Sequence, residues 1–319
     1  MSENNKTEMK EKKDLKAFIT GRFSYIGIVI LLVFFGIVTK FKSLSAGNLL
    51  LILQQSYVLL ICATGVFFVM SMGSLDFSQG AIVGVASIAV VLAGQEHIVT
   101  GLIAGVLVGV AIGLLNGVLH AKFKIGSFIV TICTMLAFRG LCAFLTTDSP
   151  YSAPIYMYMM DADKFAIPIV LIVLAAGFIV SRYMKAGQYV RMVGAGETAA
   201  RFSGIKIRKV KILAFAAAGA LAGLAATINV IRVGSITASA GNLIETNVMI
   251  ALVLGGLPVS GGAKTKFSSV ILGVIMLSIL NNGLVLLQIE PNLQQLIRGV
   301  IFLVIVGITT DRKSLAVIK

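Results

Sequence analysis

Apolar residues in this chain cluster into long runs separated by short polar stretches, not the alternation of a half-buried strand. Ten runs stand out, near residues 23–39, 48–72, 81–94, 98–120, 125–145, 165–184, 212–231, 247–262, 267–287 and 293–310. Most approach the roughly 20 residues that carry a helix across a bilayer. Two do not fit that mould. The run 81–94 is too short to span comfortably, and 247–262 is interrupted by Gly255, Gly256, Pro258, Gly261 and Gly262. Short or Gly/Pro-broken segments in corresponding positions of two halves point to a transport path. Such backbone survives at membrane depth only where protein or cavity water satisfies it. The pattern predicts an all-α, polytopic transmembrane helical bundle of about ten spans, with short broken helices in its core.

Composition agrees. Of 319 residues, 58% are hydrophobic and 13% charged, with a mean hydropathy of +0.99, too little charge to cover a soluble core. The net charge of +14 would suggest nucleic acid in a soluble protein. Here its placement argues for no nucleic-acid partner. Ten charged residues crowd into positions 1–22 and eight more lie between Lys185 and Lys211. With the N-terminus placed in the cytoplasm and ten spans, 21 Lys and Arg fall inside and four outside (Lys40, Lys42, Lys164 and Arg232). That asymmetry predicts both termini cytoplasmic. It divides the chain into a basic cytoplasmic tail, 1–22, and one transmembrane domain, 23–319, with a cytoplasmic loop at 185–211. The run 23–39 ends at Lys40 without a small-residue cleavage pattern and reads as an uncleaved first span.

Catalytic and metal-binding constellations are missing from the pattern. Cys62, Cys133 and Cys142 sit in apolar runs, and His97 and His120 are far apart, so no metal site is predicted. Gly194–Gly196 follows no strand and fails as a dinucleotide fingerprint. No phosphate-binding loop is present, so an energised transporter would need a separate ATPase. The longest external segment, 146–164, carries Asp148, Asp161, Asp163 and several aromatics. It reads either as an interfacial aromatic belt or as part of the external mouth or of a docking surface for a delivery protein.

Within 185–211, seven basic residues face one acid, Glu197. Gly196 to Gly204 reads as a short helix. Ala199 and Ala200 favour it, Glu197 can meet Arg201 one turn on, and Gly204 stops it. The alternative is an ordinary basic loop that fixes topology.

The order of several motifs resembles the ribose-type permease family of bacterial ABC importers. Gly73-x-Leu75-Asp76-x-Ser78-x-Gly80 is similar to the family's Gly-x-Ile/Leu-Asp-Leu-Ser-x-Gly stretch. Phe128 to Thr131 with Arg139-Gly140, and Glu197-x-Ala199-Ala200-Arg201-x-Ser203-Gly204-Ile205, also match. So do Arg232-x-Gly234-Ser235, Leu254-Gly255-Gly256, Gly261-Gly262 and Leu280-Asn281-Asn282-Gly283-Leu284. The likeness covers most of the chain beyond residue 45. Gln79 departs from it, standing where a small apolar residue is usual, as do Gly126-Ser127 for a Pro and Cys133 for a Gly.

The resemblance implies a bacterial inner-membrane permease subunit that moves a monosaccharide by alternating access and performs no chemistry. It implies ATP-binding subunits, which hold ATP and Mg, an extracytoplasmic solute-binding protein and a second permease copy. Nucleosides or branched-chain amino acids are the alternative cargo, and an ion-coupled transporter the more distant rival. It makes Gly196, Glu197, Ala199, Ala200, Arg201 and Gly204 the candidates for coupling to the ATPase. Candidates for the path or its gate are Asp76, Asn116, Arg139, Gly255, Gly256, Gly261, Gly262, Asn281 and Asn282. Asp76 reads first as a cap for the following helix. Arg139 either snorkels or faces the bundle interior. The asparagines bond either a sugar or a neighbouring helix. Glu245 is expected near the outer surface, within reach of the binding protein.

Overall fold

The computed structural model describes residues 24–309. The tail 1–22 and the basic C-terminal residues Arg312, Lys313 and Lys319 lie outside the described residues, and so do both termini. Each of the ten apolar runs contains a helix. These are α1 (Ser24–Val38), α2 (Ala46–Ser71), α3 (Gln79–Ala93), α4 (Ile98–Lys122), α5 (Ser127–Leu145), α7 (Ala162–Tyr183), α10 (Ile207–Val233), α11 (Ile244–Leu254), α12 (Ser268–Leu286) and α13 (Pro291–Thr309). Three short helices join them: α6 (Ile155–Tyr158), α8 (Lys185–Ala195) and α9 (Glu197–Phe202). Six helices, α2, α4, α5, α7, α10 and α12, are long and apolar enough to cross a membrane, while α1, α3 and α11 are apolar but shorter. The chain is an all-α polytopic membrane protein. Among the described residues, length and composition together mark six helices able to cross a membrane, against the ten spans expected from hydropathy.

Burial sorts the long helices. In α2, α10 and α12 the most apolar 18-residue window is 61–67% buried, against 22–28% in α4, α5 and α7. The first three form the core. The others turn side chains such as Leu107, Phe144 and Ile172 outward, as a lipid-facing surface would.

Glycine brings α4 against α10. Gly105, Gly109, Gly113 and Gly117 recur every fourth residue on α4, facing Phe215, Gly219 and Gly223 of α10. A methyl group on Gly109 would overlap the Gly219 carbonyl, and one on Gly223 the Gly105 carbonyl. Lipid offers no hydrophobic drive between helices, so close backbone packing must hold them together.

The two short apolar helices start inside the bundle. From the end of α2 the chain turns back through 72–78 and enters α3, whose 15 residues rise only about 22 Å. At the other end, Ser235–Ile236 (β2) pairs antiparallel with Tyr151–Ser152 (β1). The chain then descends along α3. Thr237 O lies 3.8 Å from Cys142 Sγ, and a Cβ on Gly84 would stand 2.8 Å from Ala240 O. Gly241, at φ +74°, packs on the Gly80 carbonyl, an approach that leaves no room for a side chain. There α11 begins, and its 11 residues rise about 16 Å.

Candidate functional site

The basic helices form one compact module. α8 and α9 lie at the end of the bundle where α2 stops and α10 starts. α9 covers Glu197–Phe202 and closes on Gly204 at φ +79°. Glu197 pairs with Lys211 of α10 at 2.5 Å, not with Arg201 as expected. The reason is packing. Ala200 is only 2% exposed and seats α9 on Val69, Met72, Val190, Val193, Phe215 and Ala218. That contact turns Glu197 toward α10 and leaves Ala199, Arg201 and Gly204 on the open side. Phe202, which sequence reasoning passed over, projects outward and is 88% exposed. Its one visible signal was a large apolar residue in the otherwise small and polar stretch from Gly196 to Gly204. Beside α8 lies a hollow of about 330 Å³ lined by Gln188, Arg191, Met192, Ala195 and Ala263.

The glycine break abuts this module. α11 stops at Leu254, and Gly256, Gly261 and Gly262 all take positive φ. The Gly262 amide donates to Ser71 O at 3.0 Å, and a Cβ on Gly194 of α8 would meet Ser71 O and Gly262 N. Gly255 packs on Ser269 at the start of α12. The break therefore links α2, α8, α11 and α12.

A buried polar node sits at the start of α3. Ser78 donates to Asp76 Oδ1 through both its amide (2.9 Å) and its hydroxyl (2.6 Å), and Gln79 Nε2 donates to Oδ2 at 2.7 Å. Asn116 Nδ2 on α4 donates to Ser78 Oγ at 2.8 Å. All four residues are at most 1% exposed. These donors give both carboxyl oxygens partners, without which burying the group would be costly. The node is pinned to the basic end. His120 faces Ile125 O at 2.8 Å and Ser74 Oγ at 3.3 Å, and the Leu75 amide donates to Ser127 Oγ at 3.0 Å.

Asn116 and the Asn281–Asn282 pair do not meet. Asn48 Nδ2, in the first turn of α2, donates to Asn282 Oδ1 at 2.8 Å, whereas Asn116 bonds Ser78 at the start of α3. Asn116 and Asn282 both bond helix to helix.

Arg139 faces inward. Its Nη2 donates to Glu245 Oε1 at 2.9 Å and its Nη1 to Asn242 Oδ1 at 2.6 Å. Glu245 is 6% exposed and lies against Gly80 in the first turn of α3. It is therefore not the surface contact expected from the sequence: the descending 237–243 segment carries it into the bundle, where the positive end of α3 favours a carboxylate. Two residues further along α11, Asn247 Oδ1 accepts from Arg298 Nη1 at 3.1 Å. Asn242, Thr246 and Gln295 are exposed beside these residues.

The family model described as "Branched-chain amino acid transport system / permease component" matches residues 48–306. The chain belongs to this family of ABC-importer permeases. The permease is 30% identical to the ribose import permease of Escherichia coli strain K12, over 94% of this chain and 96% of that one. It is 33% identical to the ribose import permease of Bacillus subtilis strain 168, over 92% of each. It is 29% identical to the D-allose transport system permease of Escherichia coli K12, over 96% of this chain and 97% of that one. No solved structure matches. The family is one of transport permeases, not an enzyme class. Membership implies ATP-binding subunits and a solute-binding protein as partners, and a multi-pass position in the inner membrane.

Proposed function

We propose that this permease moves a monosaccharide into the cytoplasm by alternating access, as one of two permease copies, and that α9 transmits the ATPase cycle to it. The observation that carries this reading is the way α9 is mounted. Ala200 roots it in the packed bases of α2 and α10, and Glu197–Lys211 ties it sideways, while Phe202 stands free as a knob. A lever so fixed moves its supporting helices when its tip is pulled. The glycine break at Gly255–Gly262 touches the base of α2 and the end of α8, so it is the joint through which that motion reaches α11.

Orientation follows from charge. Arg182 to Lys211, Lys122, Lys124, Lys264 and Lys266 all belong to the α8–α9 end, which the positive-inside rule assigns to the cytoplasm. In a ten-span arrangement α3 and α11 would reach only part way, with segments 72–78 and 234–243 completing the crossings. Both termini would then be cytoplasmic. The sugar assignment rests on the ribose, xylose and allose permeases among the relatives.

The test is reconstitution. The permease with its ATP-binding subunits and solute-binding protein is placed in proteoliposomes, and uptake of labelled ribose, xylose and allose is followed. ATP-dependent uptake of one sugar, abolished by vanadate and insensitive to uncouplers, is expected. Uncoupler-sensitive uptake without ATP would assign the chain to ion-coupled transport.

A further inference from the structure

We propose that the cleft between α11 and α13 is half of the solute site, and that Arg298 is the residue that holds the sugar's oxygens there. The inference rests on the permease reading above and adds the ligand contact to it.

The cleft encloses about 180 Å³, with Thr246, Asn247 and Ile250 on the α11 wall and Gln295 and Arg298 on the α13 wall. Binding pockets for small molecules usually run from about 300 Å³ upward. The cleft is too small and too open for a complete site and needs a second wall, which a second copy of the chain would supply.

Its chemistry is one-sided. A guanidinium has five N–H donors and no acceptor. Arg298 commits Nε to Gln294 O at 3.3 Å and one Nη1 proton to Asn247 Oδ1 at 3.1 Å. Three donors are left for the cleft. Among the described residues no carboxylate pairs with Arg298, in contrast to Arg139, which Glu245 neutralises. The first turns of α11 add the positive end of a helix whose start is buried in the bundle. With Oδ1 occupied, the Asn247 amide offers its own donors, and Gln295 and Thr246 add polar groups on both walls. Such a surface selects a solute rich in acceptor oxygens. Ile250, one turn below Thr246 and almost fully buried, forms the apolar floor of the cleft.

Position supports the assignment. Arg298 lies in the second turn of α13, and its side-chain partner Asn247 is on the half-length helix that starts inside the bundle. Charge inside a membrane helix is kept where it meets water, a partner or a ligand.

The test uses the reconstituted complex with its binding protein, loaded in turn with ribose, xylose or allose. Arg298→Met should slow uptake of the transported sugar at least tenfold. The concentration of loaded binding protein giving half-maximal uptake should move less than twofold. Arg298→Lys, which keeps charge but loses the fork, should recover part of the rate and alter the preference among the three sugars. Gln295→Leu, on the same wall, should cut the rate severalfold without touching Arg298 and stands in if the Met variant fails to assemble. An Arg298→Met rate within twofold of wild type overturns the site. So does an equal loss in the Met and Lys variants with the sugar preference unchanged. If the wild-type complex takes up none of the three sugars, the transport reading itself fails.

Discussion

The Arg139 guanidinium stands 2.9 Å from the Glu245 carboxylate, tying α5 to the first turn of α11. The two residues are 106 positions apart in sequence. Their pairing holds the start of a half-length helix inside the bundle, against Gly80 of α3. Removing one partner leaves a poorly hydrated charge. Glu245→Ala is expected to cost about 3 kcal/mol. Arg139→Met should cost a similar amount, while the double variant Arg139→Met/Glu245→Leu should recover at least half of the loss. Thermal unfolding of the purified permease in detergent, read as a double-mutant cycle, checks this.

The α4–α10 contact is expected to be intolerant of any added side chain. Gly109→Val should prevent the native pairing, because its Cβ would overlap the Gly219 carbonyl on a rigid backbone. Overpacking of this kind costs about 1–3 kcal/mol when the neighbour yields and more when it cannot. Gly47→Ala, with nothing within 4 Å of the new methyl, is the matched control. Size-exclusion profiles of the two variants should separate them, with Gly47→Ala monodisperse and Gly109→Val aggregated or absent.

Asp76 is fixed by three donors, so Asp76→Asn turns an acceptor into a donor that faces one of them. The expected loss is about 1–3 kcal/mol, the cost of stranding buried polar groups. Gln79→Leu removes one of the three donors and should cost less. The relevant measurement is the melting temperature of each variant, with Asp76→Asn below Gln79→Leu.

Two residues of α9, two positions apart, should fail differently. Ala200→Arg forces a long charged side chain into the packed base of α2 and α10, and should lower permease yield before any docking is tested. Phe202→Asp leaves that base untouched. It should keep yield and melting temperature within error of wild type while removing at least nine-tenths of the co-purified ATP-binding subunit. Equal yield for both variants would contradict the mounting described for α9.

Much of this was legible in the sequence because membranes impose length. The ten apolar runs all contain helices; α3 betrayed itself by being short and α11 by the Gly/Pro interruption that ends it. The α9 boundaries were visible in Gly196, Ala199, Ala200 and Gly204, residues that act on their own backbone. What stayed hidden depends on distant partners. Nothing near Glu245 announces Arg139, and nothing near Glu197 favours Lys211 over the nearer Arg201. In a six-residue helix no periodicity shows that Ala200 points in and Phe202 out. The Gly255–Gly262 run was readable as a break, but its place beside Ser71 and Gly194 depends on how α11 enters the bundle. Gln79 looked like a departure from the family pattern until its amide was seen to complete the Asp76 node.

The most direct test places a single cysteine at Phe202 in a permease lacking Cys62, Cys133 and Cys142. In intact cells a membrane-impermeant thiol reagent should leave it unlabelled, and in inverted vesicles it should label fully. With the ATP-binding subunit present, a short bifunctional cross-linker should join the two chains, in a yield that changes when ATP is added. Labelling from outside the cell, or no cross-link under any nucleotide condition, would contradict the assignment of α9 as the coupling element.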